Sequence, residues 1–117
     1  MKIIIKKILF IGLIIFLLIQ LYQPARNISF EQDITGNFTK VNNVPKNVEI
    51  ILRTSCYDCH SNNTNYPWYS YIQPARFFME SHIATGKENL NFNEWGNYSS
   101  RKQNNKLERI AKQIESN

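Results

Sequence analysis

Cysteine and histidine are nearly absent from this 117-residue chain, which holds two of each. Both cysteines and one histidine fall within CYDCH, from Cys56 to His60; the other histidine is His82. Two cysteines allow at most one disulfide, and any chemistry needing thiols is confined to that stretch. Long alternation of apolar and polar residues is also missing, so there is no basis for a sheet, and no internal repeat suggests a solenoid. No basic stripe is interleaved with aromatics, so the net charge of +5 does not indicate nucleic-acid binding. From Ile28 onward ten Lys or Arg stand against nine Asp or Glu, and the excess sits in Lys2, Lys6, Lys7 and Arg26. No constellation of nucleophile, base and orienting group suggests an enzyme.

What is present begins with MKIIIKKILFIGLIIFLLIQLY. Three lysines precede an apolar run from Ile8 to Ile19, with Leu21 and Tyr22 beyond Gln20. A cleaved signal peptide has this shape too, but LYQPARN offers only Ala25 as a small residue for cleavage. An uncleaved anchor needs about 20 apolar residues, which residues 3–22 supply if Lys6 and Lys7 snorkel. The expectation is a single transmembrane helix with its N-terminus in the cytoplasm, so that the rest of the chain lies outside the inner (cytoplasmic) membrane, on the periplasmic side.

Residues 23–43 are polar and broken by Pro24 and Gly36, and read as a tether. A domain of residues 44–117 follows. Pro45 suits the start of a helix carrying Val48, Ile51 and Leu52 at helical spacing, which delivers Cys56 at its end. Pro74 opens a second helix, PARFFMESHIAT, with Gly86 as its expected C-terminal cap. Asn93 is placed to cap a turn carrying Glu94 and Trp95. Leu107, Ile110, Ala111 and Ile114 mark the apolar face of a last, amphipathic helix. The domain reads as all-α and small, marginal on burial alone, yet rich in aromatic rings that a large flat apolar cofactor would give something to pack around.

Cys-x-x-Cys-His is the attachment signature of c-type haem. Two thiols three positions apart on a helical turn reach the two vinyl groups on one edge of the macrocycle, and the following imidazole projects towards the iron. Attachment occurs outside the cytoplasm, in agreement with the topology. The alternatives are a catalytic dithiol at Cys56, which lacks a βαβ setting and leaves His60 idle; a zinc site from Cys56, Cys59, His60 and His82; and a plain disulfide or incidental thiols. Tyr57 and Asp58, between the cysteines, are expected to face outward.

A longer run of residues carries a resemblance: Cys56, Cys59, His60, Ser61 and Asn62, then Pro67, Trp68 and Tyr69, then Pro74, His82 and Gly86, then Asn91, Phe92 and Trp95. Over roughly residues 45–115 the chain resembles the small haem-binding-domain family of exported, c-type-cytochrome-like bacterial proteins. The resemblance implies a cytochrome-c-like helical domain, one covalent haem c per chain on Cys56 and Cys59, and His60 on the iron. That family continues with a Met-Pro segment and a further helix where this sequence stops at Asn117, which suggests a domain shortened at its C-terminus.

For the sixth iron position the candidates are His82, the family's motif position, and Met79; an open site is the third option. Arg53 and Arg76 could pair with haem propionates, and Trp68 and Trp95 could wall the haem edge. The expected function is one-electron transfer by a membrane-anchored monohaem protein, with redox proteins as partners. A haem-based sensor or small-ligand module with an open sixth site is the alternative, and a tethered dithiol oxidoreductase comes third.

Overall fold

The computed structural model describes residues 1–29 and 36–116. Among these, regular structure is helical throughout apart from one isolated bridge between Ile28 and Asn63. The helices are α1 (Lys2–Ile19), α2 (Phe38–Val41), α3 (Lys46–Ser55), α4 (Tyr57–His60), α5 (Ala75–Asn89) and α6 (Ser100–Glu115). Two 3-10 turns, Trp68–Tyr71 and Phe92–Asn97, flank α5. The chain forms two compact units: Met1–Arg26 with Asn65–His82, and Asn27–Thr64 with Ile83–Asn117.

In the first unit α1 runs for 18 residues, about 27 Å at 1.5 Å per residue. None of its residues is buried, so it is apolar on every side without a covered face. It ends at Ile19, three residues short of the expected span, and includes Lys2, Lys6 and Lys7. Among the described residues no helix is long and apolar enough to cross a membrane. Beyond α1 the chain is tied down by amides. The backbone N–H of Gln73 donates to Gln20 Oε1 at 2.9 Å, and Gln73 Nε2 donates to the Tyr22 carbonyl at 2.6 Å. Arg76, itself buried, donates to Gln23 and to the Pro24 carbonyl. Ser70 and Gln73 point inward, whereas Trp68, Tyr69, Tyr71, Phe77 and Phe78 are exposed.

The second unit is built on Trp95 and Phe92, the two fully buried large side chains, with Tyr57 and Leu90. Tyr57 stacks flat on Phe92, with centroids 4.8 Å apart and planes 5° from parallel. Its phenol donates to Asn37 Oδ1 at 3.1 Å. The outward orientation expected for Tyr57 is therefore wrong: the ring completes the aromatic stack and its hydroxyl has a buried acceptor, so inward burial costs it no hydrogen bond. Burial pushes its phenol above the ordinary range.

Asn37 belongs to the stretch read as a tether, and residues 36–43 differ from that reading. The Asn37 side-chain Oδ1 caps α2, accepting from the Thr39 backbone N–H at 3.0 Å and from its hydroxyl at 2.9 Å. Phe38 stands edge-on to Trp95 at 4.7 Å. The Gly96 N–H donates to the Gly36 carbonyl at 2.8 Å, and a Cβ on Gly96 would come within 3.1 Å of Gly36 Cα. This close backbone crossing is what the two glycines permit. Residues 30–35 of the same stretch lie outside the described residues.

Other expectations shift by a turn or a face. α3 has the expected limits, but Val48 and Ile51 are exposed and Leu52 alone of the three packs on the core. The second 3-10 turn is capped by Asn91, which accepts from the Asn93 N–H at 3.0 Å, two residues before the expected cap. On α6 the inward stripe is Gln103, Lys106 and Ile110 rather than Leu107, Ile110, Ala111 and Ile114. Two polar anchors rotate the helix this way: Gln103 Nε2 donates to the Trp95 carbonyl at 3.0 Å, and Lys106 donates to the Asn89 carbonyl.

Replacing Trp95 by Ala should cost about 3–5 kcal/mol in chemical denaturation of the haem-free protein. The same change at Trp68, which is 76% exposed, should stay within about 0.5 kcal/mol.

Candidate functional site

CYDCH folds as a single turn because α3 ends at it. Cys56 closes α3 with its N–H on the Leu52 carbonyl at 2.9 Å, and its own carbonyl then accepts from the N–H of His60 at 3.0 Å. The result is α4, which holds Cys56, Cys59 and His60 on one short helical turn. Both cysteines are free thiols: Cys56 is half-buried against the aromatic core and Cys59 is exposed. Burial, and to a smaller extent the neighbouring Cys59, pushes the Cys56 thiol above the ordinary range. A redox-active dithiol requires the opposite shift, so this environment speaks against the dithiol alternative.

His60 is held by the end of α5. Its Nδ1 lies 2.9 Å from the Gly86 carbonyl oxygen and 3.0 Å from that of Leu90. Carbonyl oxygens only accept, so Nδ1 must carry the hydrogen and share it between the two. In the neutral ring Nε2 is then the nitrogen with a free lone pair, the form in which imidazole binds a metal. The site thus contains two reduced thiols and a tautomer-locked imidazole on one turn.

Gly86 was expected to cap α5, but the helix continues through it to Asn89. Its role is close approach: a Cβ there would sit 2.6 Å from the Cys59 carbonyl oxygen and 3.3 Å from its carbon. The turn after the motif is fastened on the other side. The Asn62 N–H donates to Asn93 Oδ1 at 2.9 Å, and Asn91 Nδ2 donates to Asn62 Oδ1 at 2.7 Å. Asn62, Gly86, Asn91 and Phe92, which sequence reading could only note as a recurring pattern, all bear directly on the turn that presents His60.

A cavity of about 360 Å³ opens beside His60, lined also by Asn89, Leu90, Lys106, Arg109, Ile110 and Gln113. Sequence reading missed Lys106 and Arg109; their signal was the three-residue spacing that puts them beside Ile110. Burial pulls the Lys106 ammonium below its ordinary value, and repulsion from Lys102 and Arg109 acts in the same direction.

The two candidate arginines are engaged with other partners. Arg53 is paired with Glu49 at 2.8 Å, and Arg76 is bonded to Gln23 and Pro24. Trp95 is interior core, and in the first unit Trp68 and His82 are exposed and Met79 is half-buried. Among the described residues no three of His, Cys, Asp or Glu are grouped to hold a metal ion.

The profile of a family described as haem-binding domain matches residues 14–117 of this sequence, nearly its whole length. The chain belongs to that haem-binding-domain family. No curated protein and no solved structure matches it. The donor set fits the group the family is named for: His60 offers an imidazole with free Nε2, beside a cavity of mixed apolar and cationic lining.

Two outcomes test this geometry. In the haem-free protein, alkylation of Cys56 followed by peptide mass analysis should set in at higher pH than in the denatured chain, because a raised pKa keeps the thiol protonated to higher pH. Gly86→Ala, which would stabilise an ordinary helix interior by about 1 kcal/mol, should here destabilise by about 1–3 kcal/mol in urea unfolding.

Proposed function

We propose that this protein is a monohaem c-type electron carrier, tethered by its N-terminal helix to the outer side of the cytoplasmic membrane. The observation that carries the reading is the His60 ring, whose Nδ1 hydrogen is shared by the Gly86 and Leu90 carbonyls and whose Nε2 is left for iron. Cys56 and Cys59 would each add across one vinyl group, sulfur bonding one carbon and the thiol hydrogen passing to the other, so attachment consumes no oxidant. It does require both thiols reduced. Haem supplies a one-electron couple when bound. His60 would hold and orient it, and the bound haem would allow one electron to be taken from a reduced partner protein and given to an oxidised one. His82 is the proposed sixth ligand, with Met79 as the other candidate.

The membrane assignment is supported by α1, whose apolar side chains are uncovered on every side and whose lysines all lie in its first two turns. A second reading is a haem-based sensor with an open sixth site, which follows if neither His82 nor Met79 ligates the iron.

The test is to mature the protein with haem in an exporting host and record its pyridine haemochrome and visible spectra after denaturing extraction. Haem that resists extraction and gives low-spin bands in both oxidation states is the expected result, with His82→Ala converting the spectrum to high-spin. A high-spin spectrum that shifts with carbon monoxide or cyanide would establish the sensor instead. Absence of covalent haem would overturn both readings.

A further inference from the structure

Lys106 and Arg109 sit one helical turn apart on α6, and both line the cavity that His60 borders. Lys106 is only 8% exposed; its ammonium donates to the Asn89 carbonyl and lies 5.0 Å from the centre of the Tyr98 ring. Among the described residues neither cation has an ion pair; the two ion pairs present belong to Glu49. No acidic side chain lines the cavity, and the rest of its wall is apolar, from Leu90 and Ile110, or amide. Two cations without a counter-ion, one of them buried, repel each other, and an anion in the cavity would relieve that repulsion. An imidazole, an apolar wall and paired cations together describe a site for an amphipathic ligand that carries carboxylates.

We infer that Lys106 and Arg109 recognise the carboxylate edge of the haem that His60 ligates, and so select a porphyrin bearing free propionates. The inference rests on the haem reading above and places the recognition on α6, not on Arg53 or Arg76. A guanidinium and an ammonium suit two separate carboxylates better than one, since the first can bind in a bidentate manner and the second acts as a point charge.

The experiment titrates the haem-free full chain in detergent with haem and, separately, with haem dimethyl ester, followed by the Soret band. The unaltered chain should prefer the diacid by about tenfold or more, the discrimination expected for charge-assisted hydrogen bonds. Lys106→Gln with Arg109→Gln should reduce that preference to within about threefold, while Arg53→Gln should leave it intact. Arg109→Gln alone alters an exposed residue and should give an intermediate value, so the test does not depend on tolerance of a buried substitution; circular dichroism checks each fold. A preference that survives in the double variant, or is missing from the unaltered chain, would overturn the inference while leaving haem binding intact. A Soret band with neither ligand, or one indifferent to His60→Ala, would instead sink the haem reading itself.

Discussion

The approach of the last turns of α5 to the CYDCH turn governs the second unit. Two carbonyls of one chain segment meet one ring nitrogen of another, at 2.9 and 3.0 Å. That contact selects the tautomer, fixes the ring plane and leaves the opposite nitrogen for a ligand. It is possible only because residue 86 has no side chain, since any Cβ would collide with the Cys59 carbonyl. A helix propensity cost is accepted at Gly86 in return for backbone proximity.

The aromatic stack provides the stiff background for that contact. Tyr57 is fixed between Phe92 and Asn37, so the residue after Cys56 cannot swing, and α4 inherits its orientation. Asn62 and Asn91 hold the exit of the motif in the same way. Entry, middle and exit of a five-residue stretch are each tied to a different part of the unit. The proposed attachment at two thiols would tolerate little positional slack, which suits a turn held at three places.

Much of this was legible from the sequence, for identifiable reasons. The helix carrying the first cysteine announced itself through Pro45 and its apolar spacing, and CYDCH is a chemical signature readable without any fold. Gly86 was assigned to the right helix with the wrong role, because a close approach depends on a partner distant in sequence, whereas a cap is local. The α6 register failed similarly: periodicity favoured Leu107, Ala111 and Ile114, and polar bonds from Gln103 and Lys106 to distant carbonyls turned the helix. Tyr57 was misplaced because its partners, Phe92 and Asn37, lie far along the chain in both directions.

The segment around Asn37 carries a consequence for where the domain begins. Composition places the boundary near Val44, after a polar run that resembles a linker. A chain trimmed there would lose Phe38 from the edge of Trp95 and the shared acceptor of Tyr57 and Thr39. It would also lose the strand-like crossing of Gly36 over Gly96. The folding unit therefore reaches back into the apparent linker as far as Gly36, and residues that look like spacer are part of the packing around Tyr57 and Trp95.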